Sequence, residues 1–288
     1  MCMHLITICG DTFYLPGKTN VSLYKDYVID PGKNDDIDWL HPTESFGRKI
    51  TTALITHGHD DHFWHAADLR SQGVRVYAPK GERIMIEDPD VHTNGFFLWV
   101  KPPEGMKPWY FHAKRCPIDG CVEDLDMPLK PVPLPGHTDF QTGFMTPDGV
   151  LIAGDALVAK EQWDSKGIFY YTNIPETRNT LKRLMDTDAD WVLPTHVEPM
   201  TGEQAAELAS TNLEGLDRLE RLILDCMDKD GVSTETITSK ACMALKMKDE
   251  FSIHLTGETT VRAFLHALYE AKIVDYELKD HRVLWRIV

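Results

Sequence analysis

Residues 57–62 read HGHDDH and place four metal-capable side chains in six positions: His57, His59, Asp61 and His62. The mostly apolar run 50–56 precedes them, and packing gives no reason for such a cluster at the end of a buried strand. Alternate residues of an extended segment point the same way, so we expect His57, His59 and Asp61 to converge and His62 to turn elsewhere. Imidazole with carboxylate suits Zn²⁺, Fe or Mn, whereas Mg²⁺ and Ca²⁺ prefer oxygen ligands alone.

Three further metal-capable side chains occur in similar places: His137 in LPGHT, Asp155 in AGDAL and His196 in LPTHVEP. Each follows an apolar run and lies in a turn that contains proline or glycine. A catalytic metal needs about three or four protein ligands with one position open to water, and two metals need more. The chain supplies enough such side chains for a site with two metals.

These side chains must be positioned by strands that end at one edge of a sheet. The run 50–57 is β-branched and apolar, as expected of a strand buried on both faces, and a hairpin-like stretch precedes it at 20–32. A helix closed by glycine (65–73) and another strand (74–79) follow. Three further segments each contain an apolar strand that ends at a metal-capable residue: 131–138, 142–157 and 188–196. We therefore expect a duplicated α/β unit.

The sequence pattern changes near residue 201, so we divide the chain into a catalytic domain, 1–200, and a smaller domain, 201–288. Helical patterns occupy three segments of the smaller domain: 202–231, 233–247 and 256–272. In residues 273–288, apolar and polar residues alternate as in a β-hairpin. Helices followed by a two-stranded ribbon are typical of a winged-helix domain. The smaller domain has 16 acidic and 11 basic residues, which argues against nucleic-acid binding. We expect packing, pocket closure or dimerisation, with a homodimer as one arrangement.

The bulk composition excludes several protein classes. Hydrophobic residues make up 42% of the 288 positions, enough for a full core, and no apolar run is long enough to span a bilayer. The net charge of −15 repels nucleic-acid backbones and anionic membranes. The N-terminus lacks the basic start of a secretion signal and the six cysteines are scattered, so we expect a cytoplasmic protein with reduced thiols.

The motif HGHDDH fits the pattern H-x-H-x-D-H, and with the three residues that follow it in order, the chain resembles the metallo-β-lactamase superfold over residues 1–200. The resemblance implies an αββα sandwich and two divalent metal ions, zinc first and iron or manganese as alternatives. It also implies two ligand sets and a bridge: His57, His59 and His137 for one ion, Asp61, His62 and His196 for the other, and Asp155 for both.

The resemblance further implies a hydrolase in which a hydroxide that bridges the two metal ions attacks the substrate. Asp61 and Asp155 would orient this nucleophile, which makes them the candidate catalytic residues. The expected small-molecule substrate is an ester, a thioester or a lactone. A phosphodiesterase or ribonuclease of the same superfold and a non-catalytic metal-binding sensor are the alternatives. Diiron flavoproteins of this superfamily carry a glutamate where this chain has His59, which favours hydrolysis over oxygen reduction.

Five aromatic side chains are candidates for the substrate pocket: Phe63, Trp64, Trp163, Tyr170 and Tyr171. Phe63 and Trp64 stand where glyoxalase II-like and lactonase-like members carry two small residues, so they must reshape the side of the second metal. The other three follow Asp155 closely in sequence. The aromatic segment 94–116 is either a lid over the pocket or an insertion packed on the core.

Three residues near or outside the motif have an ordinary structural interpretation. Strand alternation points Asp60 away from the metals, as a supporting or surface carboxylate. His65 opens the next helix, and His92 belongs to no motif, so we expect neither to bind a metal.

Overall fold

The computed structural model describes residues 5–165 and 167–288. These residues form two compact units, each made of several segments of the chain. The first contains the chain up to Leu134 together with Phe140–Leu157 and Thr187–Ala205. The second contains Pro135–Asp139, Val158–Asp186 and Ala206–Val288. Among the described helices, none is long and apolar enough to cross a membrane.

A seven-stranded sheet in the first unit follows chain order: β1 Ile6–Cys9, β2 Thr12–Leu15, β3 Val21–Tyr24, β4 Tyr27–Ile29, β5 Thr52–Leu54, β6 Arg75–Ala78 and β7 Gly120–Cys121. Strands β1 to β4 pair antiparallel and β4 to β7 pair parallel. The predicted hairpin at 20–32 is β3–β4, and the predicted buried strand is β5, all of whose residues are buried. Five α-helices accompany this sheet along the chain: α1 Pro42–Phe46, α2 Asp60–Phe63, α3 Ala66–Ser71, α4 Arg83–Glu87 and α5 Pro89–Phe96.

A second, five-stranded sheet of the first unit has the order β12-β11-β10-β9-β8, with β8 Lys130–Pro133, β9 Thr142–Met145, β10 Val150–Gly154, β11 Trp191–Pro194 and β12 Met200–Thr201. Only β10 and β11 pair parallel among these strands. Strands β8, β10 and β11 are those predicted to lead into metal-capable residues, and each prediction of a strand there is confirmed.

Two clusters of apolar side chains form the core of the first unit. One contains Leu54 from the first sheet and Ile152 from the second, so it lies between the sheets. The other contains Val28 of the first sheet with Phe63 and Leu69 of helices α2 and α3, so it lies on the opposite side of that sheet. The predicted mixed α/β fold of stacked sheets and helices is confirmed.

The second unit consists mainly of helices and a hairpin: α6 Lys160–Ser165, α7 Ile174–Met185, the part of α8 (Gly202–Asp225) from Ala206 onward, α9 Thr234–Ala244, α10 Phe251–Glu270, β13 Val274–Lys279 and β14 Arg282–Ile287. The predicted hairpin is confirmed. Helix α10 begins at Phe251, ahead of the helical segment predicted from residue 256, and the Thr256 hydroxyl donates to the Ser252 carbonyl inside the helix at 3.1 Å. The winged-helix assignment stays a prediction.

The unit boundaries differ from the division predicted at residue 200, because side chains of the later helices bind the segment 158–186. The amide group of Asn212 accepts from the Val158 amide at 2.9 Å and donates to the Val158 carbonyl at 2.8 Å. The hydroxyl of Thr260 accepts from the Tyr171 amide at 3.0 Å. Hydrogen bonds between positions so far apart in sequence leave no compositional signal.

Candidate metal centre

The metal-capable residues of the first unit lie directly after strands of the two sheets. His57 follows β5, Asp155 follows β10 and His196 follows β11. The Thr142 amide donates to the Thr56 carbonyl at 3.0 Å and so joins the two sheets beside His57. The chain turns into Asp155 through Gly154, whose φ of 55° is a conformation that glycine adopts at little cost.

The motif HGHDDH does not stay extended, because α2 begins at Asp60. His57 Nε2 and His59 Nδ1 lie 3.0 Å apart, as alternation predicts. Asp61 instead joins His62 and His196 in a group whose ligand atoms all lie within 4.8 Å of one another. The prediction that Asp61 converges with His57 and His59 is wrong, since a helix turns each successive side chain by about 100°.

Asp155 lies between two histidines of the first unit and faces each with a different oxygen. Its Oδ1 is 3.4 Å from His62 Nε2, and its Oδ2 is 3.5 Å from His196 Nε2. His57, His62 and Asp155 form a second group of ligand atoms within 4.8 Å. The two groups share His62, so the first unit brings together two overlapping groups of side chains, each of which could hold a cation.

The rings of His62 and His196 are oriented through Nδ1. His62 Nδ1 donates to Asp30 Oδ2 at 2.9 Å, and Asp30 Oδ1 accepts from the Thr56 amide at 2.7 Å. His196 Nδ1 donates to the Lys18 carbonyl at 2.5 Å. In both rings Nε2 is thereby left to face the centre. Asp30 was not among the predicted residues, although it also follows an apolar strand and precedes Pro-Gly.

Opposite charges dominate the electrostatics of this cluster. Burial lowers the pKa of His62 and of His196, but the nearby carboxylates outweigh it, so the pKa of His62 lies well above its usual range and that of His196 rises to about 10. Burial raises the pKa of Asp155 and of Asp61, but the same histidines outweigh it and lower both. The carboxylates thus favour positive charge at the point where the ligand atoms meet.

The spacing of these donors fits a divalent cation. Two ligands about 2 Å from a tetrahedral zinc ion lie about 3.3 Å apart. The separations of His62 Nε2 and His196 Nε2 from Asp155 are 3.4 and 3.5 Å, and His196 Nε2 is 3.4 Å from Asp61 Oδ2. Buried His62 Nε2 makes no hydrogen bond within the described part of the chain. Imidazole and carboxylate at this spacing could hold Zn, Fe or Mn.

Gly58 and Glu82 fix the loop between the first two histidines of the motif. The Gly58 amide donates to Glu82 Oε2 at 2.9 Å, and Oε1 of this fully buried carboxylate accepts from the Phe140 amide at 3.2 Å. A Cβ atom at Gly58 would lie 2.8 Å from Cβ of Met85. The glycine therefore allows the loop to approach helix α4, a role that the sequence analysis missed along with Glu82.

His137 belongs to the second unit, in the short segment Pro135–Asp139. Its Nδ1 donates to the Tyr170 carbonyl at 2.9 Å, and its ring centroid is 5.3 Å from that of Tyr170. Gly136, with φ of 133°, precedes it, and a Cβ there would lie 2.5 Å from Cα of Thr177. The loop thus presents Nε2 of His137 in the same manner as His62 and His196 present theirs.

The candidate pocket residues differ in their surroundings. Phe63 is fully buried in the core beside the first sheet, so its prediction as a pocket residue is corrected: it has no surface to offer a substrate. Trp64 is half-buried, with the Lys33 ammonium 3.7 Å from its ring centroid. Trp163 and Tyr171 are buried in the second unit and Tyr170 is half-buried beside His137. For these four, a role in the pocket stays a prediction.

Asp60 and His92, for which the sequence predicted ordinary structural roles, have specific contacts at the motif. Asp60 is buried and accepts from the Ala113 amide at 2.7 Å, which corrects the option of a surface carboxylate; burial raises its pKa to about 7. The ring of His92 stacks on that of His59, with centroids 4.8 Å apart. His65 stacks on Trp39 instead. Nothing in the local sequence around His92 signals its contact with the motif, since α5 brings it there from 33 positions away.

Comparison with known structures agrees with the fold. A metallo-beta-lactamase family protein from Thermus thermophilus superposes with a TM-score of 0.69 at 17% identity, over 96% of this chain and 98% of that chain. A beta-lactamase domain protein from Burkholderia ambifaria gives a TM-score of 0.65 at 19% identity, over 99% and 93%. A metallo-beta-lactamase from Pontibacter korlensis gives 0.52 at 16%, over 74% and 98%. No curated protein matches the chain.

The sequence also matches a family model described as the metallo-beta-lactamase superfamily, over residues 14–196. This span contains all seven residues that the sequence analysis selected as metal ligands, and it covers more than half of the chain. The members of this superfamily are generally metal-dependent hydrolases. The chain therefore belongs to the metallo-beta-lactamase superfamily.

Proposed function

We propose that the protein is a metal-dependent hydrolase with two divalent cations. Zinc is the first choice for both. The observation that carries this proposal is the position of Asp155, whose carboxylate forms one group of ligand atoms with His57 and His62, all within 4.8 Å of one another, and also lies 3.5 Å from His196 Nε2. Since His57 and His196 belong to different proposed ligand sets, a carboxylate placed in this way could serve two cations.

The proposed ligands are the two sets that the family resemblance implies, with Asp155 serving both: His57, His59 and His137 for the first cation, and Asp61, His62 and His196 for the second. Support for including His137 comes from its orientation within its own unit, where Tyr170 engages Nδ1 and leaves Nε2 for a ligand bond. When bound, the cations supply Lewis acidity and lower the pKa of water to about 7.

The chain's own residues orient this chemistry. Asp61 and Asp155 bring negative charge to the point of reaction, where they can accept a hydrogen bond from water. The backbone holds Asp61 firmly, because its carbonyl accepts from the Lys33 amide at 3.0 Å and from the Thr19 hydroxyl at 2.9 Å. The Asp155 amide in turn donates to Gln141 Oε1 at 3.1 Å, so the backbone of both aspartates is held before substrate arrives, which lowers the cost of reorganisation during the reaction.

An ester, a thioester or a lactone is the proposed substrate, and a panel of substrates tests the proposal. The zinc-loaded protein is assayed on these three classes, on a β-lactam and on a phosphodiester. We expect hydrolysis of at least one of the first three and a loss of at least ~100-fold in kcat/KM in His59→Ala, since a ligand matters more than its supporting groups. His254→Ala, at a half-exposed helical position of the second unit, is the control and should retain activity.

Two results would contradict the proposal. Hydrolysis by His59→Ala at the wild-type rate would exclude the cluster as the active site. Cleavage of the phosphodiester alone would move the assignment to the phosphodiesterase alternative, for which RNA affinity should also fall steeply with salt.

A further inference from the structure

We propose that His92 is a positioning residue of the metal centre, which fixes the ring of His59 by stacking against it. The inference rests on the proposed function, because it concerns the metal affinity of the site that contains His59. It gives a role to the segment from α5 to Ala113, which supplies none of the proposed ligands.

His59 faces its proposed cation through a different ring nitrogen from that of His62 and His196. His62 and His196 are fixed by hydrogen bonds from Nδ1, which leaves Nε2 for the cation. The Nδ1 atom of His59 lies 3.0 Å from Nε2 of His57, on the side where those two residues would share a cation. With Nδ1 directed at the proposed cation, the rings packed on the faces of His59 determine how that atom is aimed.

The ring of His59 is held between two other rings. The ring of His92 lies nearly parallel to it, with centroids 4.8 Å apart and planes at 21°. The ring of His57 meets it edge to face at 4.6 Å and 76°. Because these contacts act in different directions, rotation of the His59 ring about its bond to Cβ would collide with one or the other.

His92 is itself held in place from the other side. Its ring centroid lies 5.0 Å from that of Phe96 and 5.4 Å from that of Phe111. The end of this segment is tied to the motif, because the Ala113 amide donates to the buried carboxylate of Asp60 at 2.7 Å. The segment from α5 to Ala113 therefore contacts the motif at two consecutive residues, His59 and Asp60.

Two variants at position 92 distinguish the effect of a flat ring from the effect of any side chain of similar size. His92→Gln keeps a polar side chain of similar length but removes the ring face, whereas His92→Phe keeps a flat ring. His112→Ala is the matched control, because His112 is half-exposed on the same segment and contacts Glu104 rather than the motif. Cobalt(II) affinity is measured by competition with a chelator, together with the visible spectrum of the bound ion.

We expect His92→Gln to weaken the binding of one cobalt ion by ~10–100-fold and to shift its absorption bands, as loss of a supporting group does. His92→Phe and His112→Ala should stay within ~3-fold of wild type. The proposal is overturned by a His92→Gln affinity equal to wild type, or by a loss in His92→Phe or His112→Ala as large as in His92→Gln. Should His92→Gln not fold, His92→Leu replaces it, and equal affinity of the Leu and Phe variants overturns the proposal.

A second measurement separates this inference from the proposed function. In the metal-free protein, the stacked ring should shift the His59 ring protons upfield in NMR spectra, and His92→Gln should remove the shift. Unchanged His59 shifts in that variant refute the stacking whatever the metal result. A wild-type protein that binds no cobalt refutes the proposed function instead.

Discussion

At the residue scale, the centre depends on a carboxylate that the sequence analysis did not select. Asp30 accepts from the Thr56 amide, the Thr56 hydroxyl and His62 Nδ1, at 2.7, 2.8 and 2.9 Å. It is almost fully buried and has a positive φ of 49°, so the backbone at the end of β4 is shaped around these bonds. One residue thereby fixes both a strand end and a ligand ring.

Asp30→Asn should weaken metal binding without removing a ligand. The new amide side chain would present one acceptor oxygen where two carboxylate oxygens now serve three donors, and its NH₂ group would oppose His62 Nδ1–H. We expect a loss of ~10–100-fold in the affinity for one zinc ion, measured by competition with a chelator. Asp36→Asn, at an exposed position of the following loop, is the control. Equal affinities of both variants would show that Asp30 does not support the centre.

At the element scale, periodicity predicted the strands that lead to the site, and the ligand types and their order predicted the site itself. Periodicity failed at α2, because four residues, Asp60–Phe63, are too few to show a helical pattern. It also could not find Glu82, Asp30 or His92, because their roles depend on contacts between separate elements. A buried polar side chain that supports a ligand looks, in sequence, like any other polar residue near a turn.

Helix α9 offers a test of an element that the sequence predicted well. The Ser233 hydroxyl accepts from the Thr236 amide at 3.3 Å at the N-terminus of this helix. Ser233→Ala should lower the free energy of unfolding by ~1 kcal/mol, and Ser233→Asp, which can accept the same bond, should retain it. Urea denaturation followed by circular dichroism measures both. A Ser233→Asp variant as unstable as Ser233→Ala would contradict the capping role.

At the scale of the whole molecule, chain order conceals how the two units are made. The family model ends at residue 196, yet the structures from Thermus thermophilus and Burkholderia ambifaria match 96% and 99% of the chain. The second unit takes Pro135–Asp139 from between strands β8 and β9, and His137 with it. Composition could place a boundary near residue 201, but a unit assembled from three segments is defined by contacts alone.

The proposed ligand residues of the first unit are not equally exposed. Each proposed set contains one histidine with no exposed surface, His57 in the first and His62 in the second, but the second set also contains His196 and Asp61, whose side chains are 35% and 21% exposed. A chelator should therefore reach the cation beside Asp61 and His196 first. We expect two kinetic phases when an excess of chelator is mixed with the zinc-loaded protein and free zinc is followed with an indicator dye. Release of both ions in one phase would contradict this asymmetry.

The same difference in exposure would govern how a sample loses its metal. While a chelator is removing zinc, the accessible position of the proposed pair would empty sooner than the sheltered one, so a partly stripped sample would contain half-loaded molecules. Catalysis that needs both ions would then stop in the first phase of metal release, before the second ion leaves.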